Sequence, residues 1–213
     1  GPFDVATSAP RVVENFLDTA HFGLVHEGWL GSREHLEVPD HQVVADALGR
    51  PGVPHYRAWQ PQASASASGG AWVDYRHQLL SPFSALLEKR SQAAMPAVQA
   101  PGQTELVRSP VGEPTPQSSR LEGVSEAYAL WTSPTSDESC RVWFTIFVGD
   151  DAPDDATLIA FQQRIFAQDR PILESQRPRR LPLSGGELHC AAARLSRAYR
   201  RWLQQLGFDR GCC

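Results

Sequence analysis

The sequence has few cysteines and no long apolar run, and each shortage excludes a class of protein. Its four cysteines form no C-x-x-C pair or other spacing that would itself predict a zinc site or a redox motif, so we expect a reduced, cytoplasmic protein. No apolar stretch reaches the roughly 18 to 20 residues that a bilayer span needs, and the N-terminus lacks the pattern of a secretory signal. We therefore expect no membrane as a partner.

Charge of one sign is also not concentrated anywhere along the chain. The 24 acidic and 20 basic side chains give a formal net charge of −4 and are mixed without a long run of either sign. Nucleic-acid binding needs a basic surface, so we expect no nucleic acid as a partner. With 41% apolar residues among 213 positions, the chain can bury a sizeable core, and we predict one domain over residues 1–213.

The periodicity of apolar residues predicts a mixed α+β fold. Apolar residues recur at helical spacing in residues 10–20, 157–175 and 186–206. Short strands are predicted within residues 31–60 and 71–80, at 105–108, and in a hairpin formed by 125–133 and 140–148. Pro171 lies inside the second helical pattern, where it should kink or end the regular helix. This order of elements predicts an antiparallel sheet with helices packed on one face.

One short segment, Asn15–His26, concentrates two imidazoles, a carboxylate and an amide. On a helix Asp18 and His21 would lie about 60° apart, but His21 and His26 would lie about 140° apart. A straight helix therefore cannot direct both imidazoles at one atom, and we expect a break near Gly23, where a loosened turn has little cost. Two imidazoles and one carboxylate form the facial triad of Fe(II) oxygenases. The spacing alone also fits two ordinary polar histidines at a helix end.

The segment Glu14–His26 resembles the N-x-x-D-x-x-H-x-x-x-x-H iron motif of Rieske non-haem iron oxygenase alpha subunits, and every defining position matches. A later stretch, Gln168–Pro178, is similar to the end of family members akin to vanillate O-demethylase, as are Glu187–His189 and Tyr199–Leu203 after it. The resemblance spans nearly the whole chain. It implies the C-terminal, mononuclear iron domain of such a subunit.

The resemblance also implies a set of site residues. The iron ligands would be His21, His26 and a carboxylate on the penultimate helix, for which Asp169 is the matching position. Asp18 would fix the tautomer of His21 and connect it to the Rieske cluster of a neighbouring subunit, and Asn15 would lie near the iron. From the residues alone Asp169 ranks only slightly above its acidic neighbours, which are Asp150, Asp151, Asp154, Asp155 and Glu174.

The family implies a helix-grip fold, like that of START and Bet v 1 domains, with long C-terminal helices and a pocket beneath the iron. The implied reaction is O2-dependent hydroxylation or demethylation of a small aromatic or alicyclic substrate, with monooxygenation favoured over dioxygenation. Fe(II) is the expected cofactor. Electrons would come from NAD(P)H through a reductase or ferredoxin and a [2Fe-2S] Rieske centre, and the full-length protein would be a homotrimer.

Several residues depart from the family pattern. A Rieske cluster needs C-x-H and C-x-x-H pairs, and the sequence has neither, so the Rieske domain is absent from this chain. The chain is then either the C-terminal part of a longer subunit or a lone domain that receives electrons from another protein, and the opening Gly1-Pro2, which is typical of a protease scar, favours the first. Ala193 stands where relatives tend to carry an aspartate.

His77 fits either a cavity wall or an ordinary strand histidine.

Two alternatives to a catalytic iron domain remain open. The first is a metal-free helix-grip module that binds a ligand in the same cavity. The second is an iron domain that has lost redox competence and keeps a regulatory role. Iron content distinguishes the first alternative from an enzyme, and turnover with an added Rieske donor distinguishes the second.

Overall fold

The computed structural model describes residues 1–65, 69–91, 126–149 and 152–213. Within these residues seven strands form one antiparallel sheet in the order β1-β7-β6-β5-β4-β3-β2. The strands are β1 (Phe3–Val5), β2 (Val44–Ala45), β3 (Pro51–Gln60), β4 (Ala71–Ser81), β5 (Ser84–Ser91), β6 (Glu126–Ser136) and β7 (Ser139–Val148). The helices are α1 (Ala9–Leu17), α2 (Phe22–Val25), α3 (Asp155–Ser175) and α4 (Arg194–Gln205).

The strands form where apolar and polar side chains alternate. In β4 the buried side chains are Val73, Tyr75, His77 and Leu79, all on the same face of the sheet. The predicted hairpin is confirmed as β6 and β7, and Ser136 pairs with Ser139 across a turn that is tighter than expected. The strand predicted at residues 105–108 lies outside the described residues. An α+β fold with a helix-covered antiparallel sheet is therefore confirmed.

Helices α1 and α3 form for clear local reasons. Pro10 lies in the first turn of α1, where a missing N–H has no cost, and Val12, Val13 and Leu17 bury its apolar face. Asp154 caps α3, because its Oδ1 accepts a hydrogen bond from the Thr157 N–H over 2.8 Å. Pro171 does not end α3, which continues to Ser175. Helix α1 packs on β5, β6 and β7, and also contacts α3 and α4.

The last helix begins later than the sequence predicts. Helical periodicity favours a start at residue 186, but α4 begins at Arg194, after a short 3-10 turn at Ala191–Ala193. Gly185 and Gly186 both have positive φ angles, of 70° and 75°, which a right-handed helix cannot contain. The prediction was wrong over residues 186–193, where Gly186 is left-handed and Cys190 is extended, with φ of −85° and ψ of 177°. Among the described residues, no helix is long and apolar enough to cross a membrane.

A buried ion network fixes α1 against α4. Arg200, 5% exposed, donates to both carboxylate oxygens of Glu14, over 2.6 and 2.7 Å. Arg11, 3% exposed, donates to Glu187 over 2.6 Å, and Arg200 also binds Glu187. Bidentate pairs of this kind hold geometry strongly. The network therefore ties the helix before the histidines to the C-terminal part of the fold.

Candidate metal centre

The two motif histidines flank a single helical turn. Helix α1 ends at Leu17, and Asp18 is in extended conformation with ψ of 127°. His21 directly precedes α2 and His26 directly follows it, with His26 outside helical geometry. The chain therefore breaks at Asp18, before the first histidine. Because His26 is no longer in helical geometry, the two imidazoles need not point about 140° apart as they would on a continuous helix.

The break expected near Gly23 is wrong, because Gly23 lies inside α2. This glycine instead permits a close approach of the following loop. A Cβ atom here would lie 2.6 Å from Leu36 Cδ2 and 3.0 Å from the Ser32 carbonyl oxygen. The small residue is needed for packing and not for a turn.

The structure brings His21 and His26 together with Asp169, which lies in α3. His26 Nε2 is 3.2 Å and His21 Nε2 is 3.4 Å from Asp169 Oδ1. The two Nε2 atoms are 3.2 Å from each other. His26 and Asp169 are buried and His21 is partly buried, so three potential ligand atoms meet in a protected position.

The partners of the other ring nitrogens determine which electron pairs face the centre. His21 Nδ1 lies 3.1 Å from Asp18 Oδ2, and His26 Nδ1 lies 2.9 Å from Gln168 Oε1. Both oxygens can only accept, so each neutral imidazole carries its proton on Nδ1 and presents a bare lone pair at Nε2. Asp169 Oδ1 makes no aligned hydrogen bond with a described residue. When both imidazoles are neutral, three electron pairs converge here, and a proton or a metal cation between them would relieve their repulsion.

The spacing of these atoms fits one divalent transition metal. Metal bonds to histidine nitrogen and carboxylate oxygen are about 2.0 to 2.2 Å, so ligands at right angles on one ion lie about 3.0 Å apart. The observed separations of 3.2 to 3.4 Å are close to this value. A donor set of two imidazoles and one carboxylate on one face leaves the opposite positions open.

The electrostatics of the site favour positive charge. Burial lowers the pKa of His21, but Asp169 and Asp18 outweigh burial and raise it to about 9. Burial raises the pKa of Asp169, but the two imidazoles outweigh it and hold that pKa well below its usual range. The pKa of Asp18 is also lowered, since His21 and backbone N–H groups outweigh its burial. Both carboxylates are therefore ionised at neutral pH.

A largely apolar cavity lies beside the three converging side chains. It contains about 620 Å³ of space, counted to its open mouth. Its walls come from α1, α2, the inner face of the sheet and α3. They are Val12, Asn15, Phe16, His21, Phe22, His26, Leu30, Leu87, Lys89, Tyr128, Leu130, Phe144, Phe161, Gln162, Ile165, Phe166 and Asp169. Five phenylalanines in this wall suit a flat ring.

All five residues that the sequence indicated lie at this site. Asn15 lines the cavity with His21, His26 and Asp169, and Asp18 contacts His21 from the other side. Sequence reasoning gave no role to Gln168, although this residue begins the stretch Gln168–Pro178 that resembles the family and directly precedes Asp169.

His77 lies outside the cavity wall. It is 1% exposed, and its Nε2 makes no hydrogen bond with a described residue. Burial lowers the pKa of His77 to about 4, with His41 acting in the same direction. Neither reading of His77 from the sequence, as a cavity wall or a satisfied strand residue, describes this environment.

Comparison with known proteins gives consistent similarities. Residues 5–207 match the family model of the vanillate O-demethylase oxygenase C-terminal domain. The chain is 35% identical over 205 residues to the probable methylxanthine N7-demethylase NdmC of Pseudomonas sp. (strain TJI-51), covering 95% of this chain and 63% of that protein. It is 25% identical over 208 residues to the methylxanthine N3-demethylase NdmB of Pseudomonas putida, covering 95% of this chain and 48% of NdmB.

The fold also matches solved structures. The structure of Pseudomonas putida CBB5 NdmA with caffeine aligns with a TM-score of 0.69 at 20% identity, over 96% of this chain and 50% of that chain. The chain thus spans only part of the length of the relatives that it matches. Because the family model covers residues 5–207, nearly the whole sequence, the chain belongs to the vanillate O-demethylase oxygenase C-terminal domain family.

Proposed function

We propose that residues 1–213 are the iron-bearing catalytic domain of a cytoplasmic Rieske-type oxygenase that demethylates a small methylated ring compound. Family membership and the similarity to the named methylxanthine demethylases support this reaction class. Methylxanthines are therefore the first candidate substrates, and O2 is the co-substrate. The aromatic wall of the cavity suits planar rings of this size.

The metal ligands in this proposal are His21, His26 and Asp169, and the metal is Fe(II). One observation carries the assignment: the two Nε2 atoms and Asp169 Oδ1 lie within 3.2 to 3.4 Å of one another, and each Nδ1 faces an oxygen that can accept its proton. Bound there, Fe(II) would supply the reductive activation of O2 that hydroxylates a substrate methyl group, which is then lost as formaldehyde.

The side chains around the triad prepare the site and keep it dry. Asp18 and Gln168 each accept an Nδ1 proton, which orients the imidazoles so that the Nε2 atom of each ring faces the metal position. The apolar cavity wall excludes water and holds the ring beside the triad. Asn15, on the same wall, would contact the substrate near the metal. Asp18 is 30% exposed at its side chain and would connect His21 to an electron donor outside the domain.

Electrons must come from outside this sequence, which has no C-x-H or C-x-x-H pair for a Rieske cluster. In the proposal a [2Fe-2S] centre lies on another part of the full-length protein or on a partner, and a reductase or ferredoxin passes it electrons from NAD(P)H. A homotrimer would place the Rieske centre of one subunit beside Asp18 of the next.

Iron content and turnover test the proposal together. The purified chain, loaded anaerobically, should hold about one Fe(II), and His21→Ala or Asp169→Ala should lose it. His55→Ala is the matched control, since His55 is exposed and bound to Asp74 outside the site. With a Rieske donor, reductase and NADH, the iron-loaded chain should release formaldehyde from theobromine or caffeine.

Two results would contradict the proposal. A stable chain that never takes up iron and still binds ligand would be a metal-free binding module. An iron-loaded chain that makes no formaldehyde, from any methylated ring compound, with electrons supplied would be a redox-inactive regulatory domain.

A further inference from the structure

A row of polar side chains crosses the inner face of the sheet, which is the face that the helices cover. Tyr75 of β4 pairs with Lys89 of β5, and Lys89 pairs with Glu126 of β6. Paired residues of adjacent strands point to the same face. Their exposed fractions are 2%, 4% and 8%, so the polar row of Tyr75, Lys89 and Glu126 lies inside the protein.

Close contacts hold the polar row together. Lys89 Nζ is 3.7 Å from Glu126 Oε2, and the Tyr128 hydroxyl donates to the same oxygen over 2.8 Å. Lys89 Nζ also lies 5.2 Å from the Tyr128 ring centroid and 5.8 Å from that of Tyr75. The Ala63 carbonyl oxygen accepts a hydrogen bond from Lys89 over 3.4 Å. The ammonium group is thus fixed in position by the strands around it.

The polar row reaches the cavity through Lys89, and Tyr128, which is bonded to Glu126, lines the same cavity. Among the described cavity-lining residues, the ionisable side chains other than these two are the triad of His21, His26 and Asp169. The cavity wall therefore has two polar regions. One is formed by His21, His26 and Asp169, and the other by Lys89 and Tyr128 on the sheet. Aromatic and aliphatic side chains form most of the wall between them.

The charge of the polar row indicates which ligand it suits. The Glu126 carboxylate already compensates the Lys89 ammonium, so the pair has no net charge to offer a buried anion. An anionic ligand would lose its hydration without gaining a free counter-charge. A carbonyl oxygen loses much less hydration and can accept a strong hydrogen bond from a charged donor. The Tyr75 hydroxyl is a further buried polar group of the row.

We infer that Lys89, held in position by Glu126 and Tyr128, donates a hydrogen bond to a ring carbonyl oxygen of an uncharged planar substrate and so determines which methyl group faces the metal triad. The inference rests on the proposed function, whose substrate class it narrows. Lys89 is a specificity residue in this scheme, because it contacts the substrate away from the reacting methyl group.

Ligand binding without turnover tests the inference. The chain is titrated anaerobically by calorimetry with caffeine and theobromine, which are uncharged ring carbonyl compounds, and with vanillate, which carries a carboxylate. Lys89→Met should weaken caffeine binding about 10- to 100-fold, the effect of one charge-assisted hydrogen bond. Arg90→Met is the matched control, since it removes a charge from the neighbouring exposed position of β5 and should leave binding unchanged.

Lys89→Met leaves the Glu126 charge buried alone, so the double variant Lys89→Met/Glu126→Gln is measured beside it. This variant removes both charges and keeps an acceptor for Tyr128, and thermal unfolding confirms that it is folded. It should show the same loss of caffeine binding, and wild-type protein should bind vanillate about tenfold or more weakly than caffeine.

Three outcomes would overturn the inference. They are caffeine binding by the folded double variant within about twofold of wild type, vanillate binding tighter than caffeine, or no binding of caffeine and theobromine by wild type. Iron content is measured on the same samples, so that failure of this inference can be distinguished from failure of the proposed function. Binding that depends on Lys89 in a chain without iron would leave the inference standing while the proposed function fails.

Discussion

Gln168 holds one of the two histidines in the orientation that metal binding needs, so its replacement tests the architecture of the site. The His26 Nδ1–H donates to Gln168 Oε1 over 2.9 Å, and His26 is only 1% exposed. Gln168→Leu removes the acceptor, and a buried N–H without a partner costs about 1 to 3 kcal/mol. The imidazole can avoid this cost by moving its proton to Nε2, where it blocks the lone pair facing Asp169.

Iron affinity should therefore fall about 10- to 100-fold in Gln168→Leu, which corresponds to about 1.4 to 2.7 kcal/mol. Anaerobic competition with a coloured chelator measures the affinity, and thermal unfolding verifies the fold. Gln163→Leu is the matched control, because Gln163 is exposed on the same helix. Gln168→Glu should restore tight binding, since a carboxylate also accepts the Nδ1 proton. A folded Gln168→Leu protein with wild-type iron affinity would refute this role of Gln168.

Two further changes test the packing around the site. Gly31→Ala should destabilise the fold by about 1 to 3 kcal/mol and lower iron content, because its Cβ would lie 2.4 Å from the Phe22 carbonyl carbon beside the histidines. Gly69→Ala is the control, since its Cβ would lie in open space. A melting temperature of Gly31→Ala equal to that of wild type would contradict the argument. Burial raises the pKa of Glu187, but its buried partners Arg11 and Arg200 outweigh burial and lower that pKa below 4.5. The Glu187 carboxylate therefore stabilises the fold above about pH 4.5, and this stabilisation is lost as the pH falls through the pKa of the folded state. Measured by urea unfolding, the free energy of unfolding of Glu187→Gln should fall less steeply below pH 4.5 than that of wild type. Glu138→Gln, at an exposed position, should follow wild type. A fall in Glu187→Gln as steep as that of wild type would exclude this contribution.

Local patterns predicted those elements whose cause is itself local. The hairpin of β6 and β7 was predicted correctly because alternating aromatic and branched residues favour strands on either side of a turn. The start of α4 was missed because a helical apolar period does not report backbone conformation, and the chain is still extended at Cys190. Pro171 was expected to kink or end α3, but the helix extends past it to Ser175.

The sequence by itself determined the chemical character of the chain: an α+β fold, a segment that places two imidazoles beside a carboxylate, and membership of a family with an iron motif. Only the tertiary structure decided that Asp169 faces His21 and His26, that Gln168 orients His26, and that Lys89 shares a cavity with His21, His26 and Asp169. The reason is physical. Periodicity reports which face of one element is buried, whereas the meeting of atoms from α2, α3 and β5 depends on strand register and on how the helices pack across the sheet.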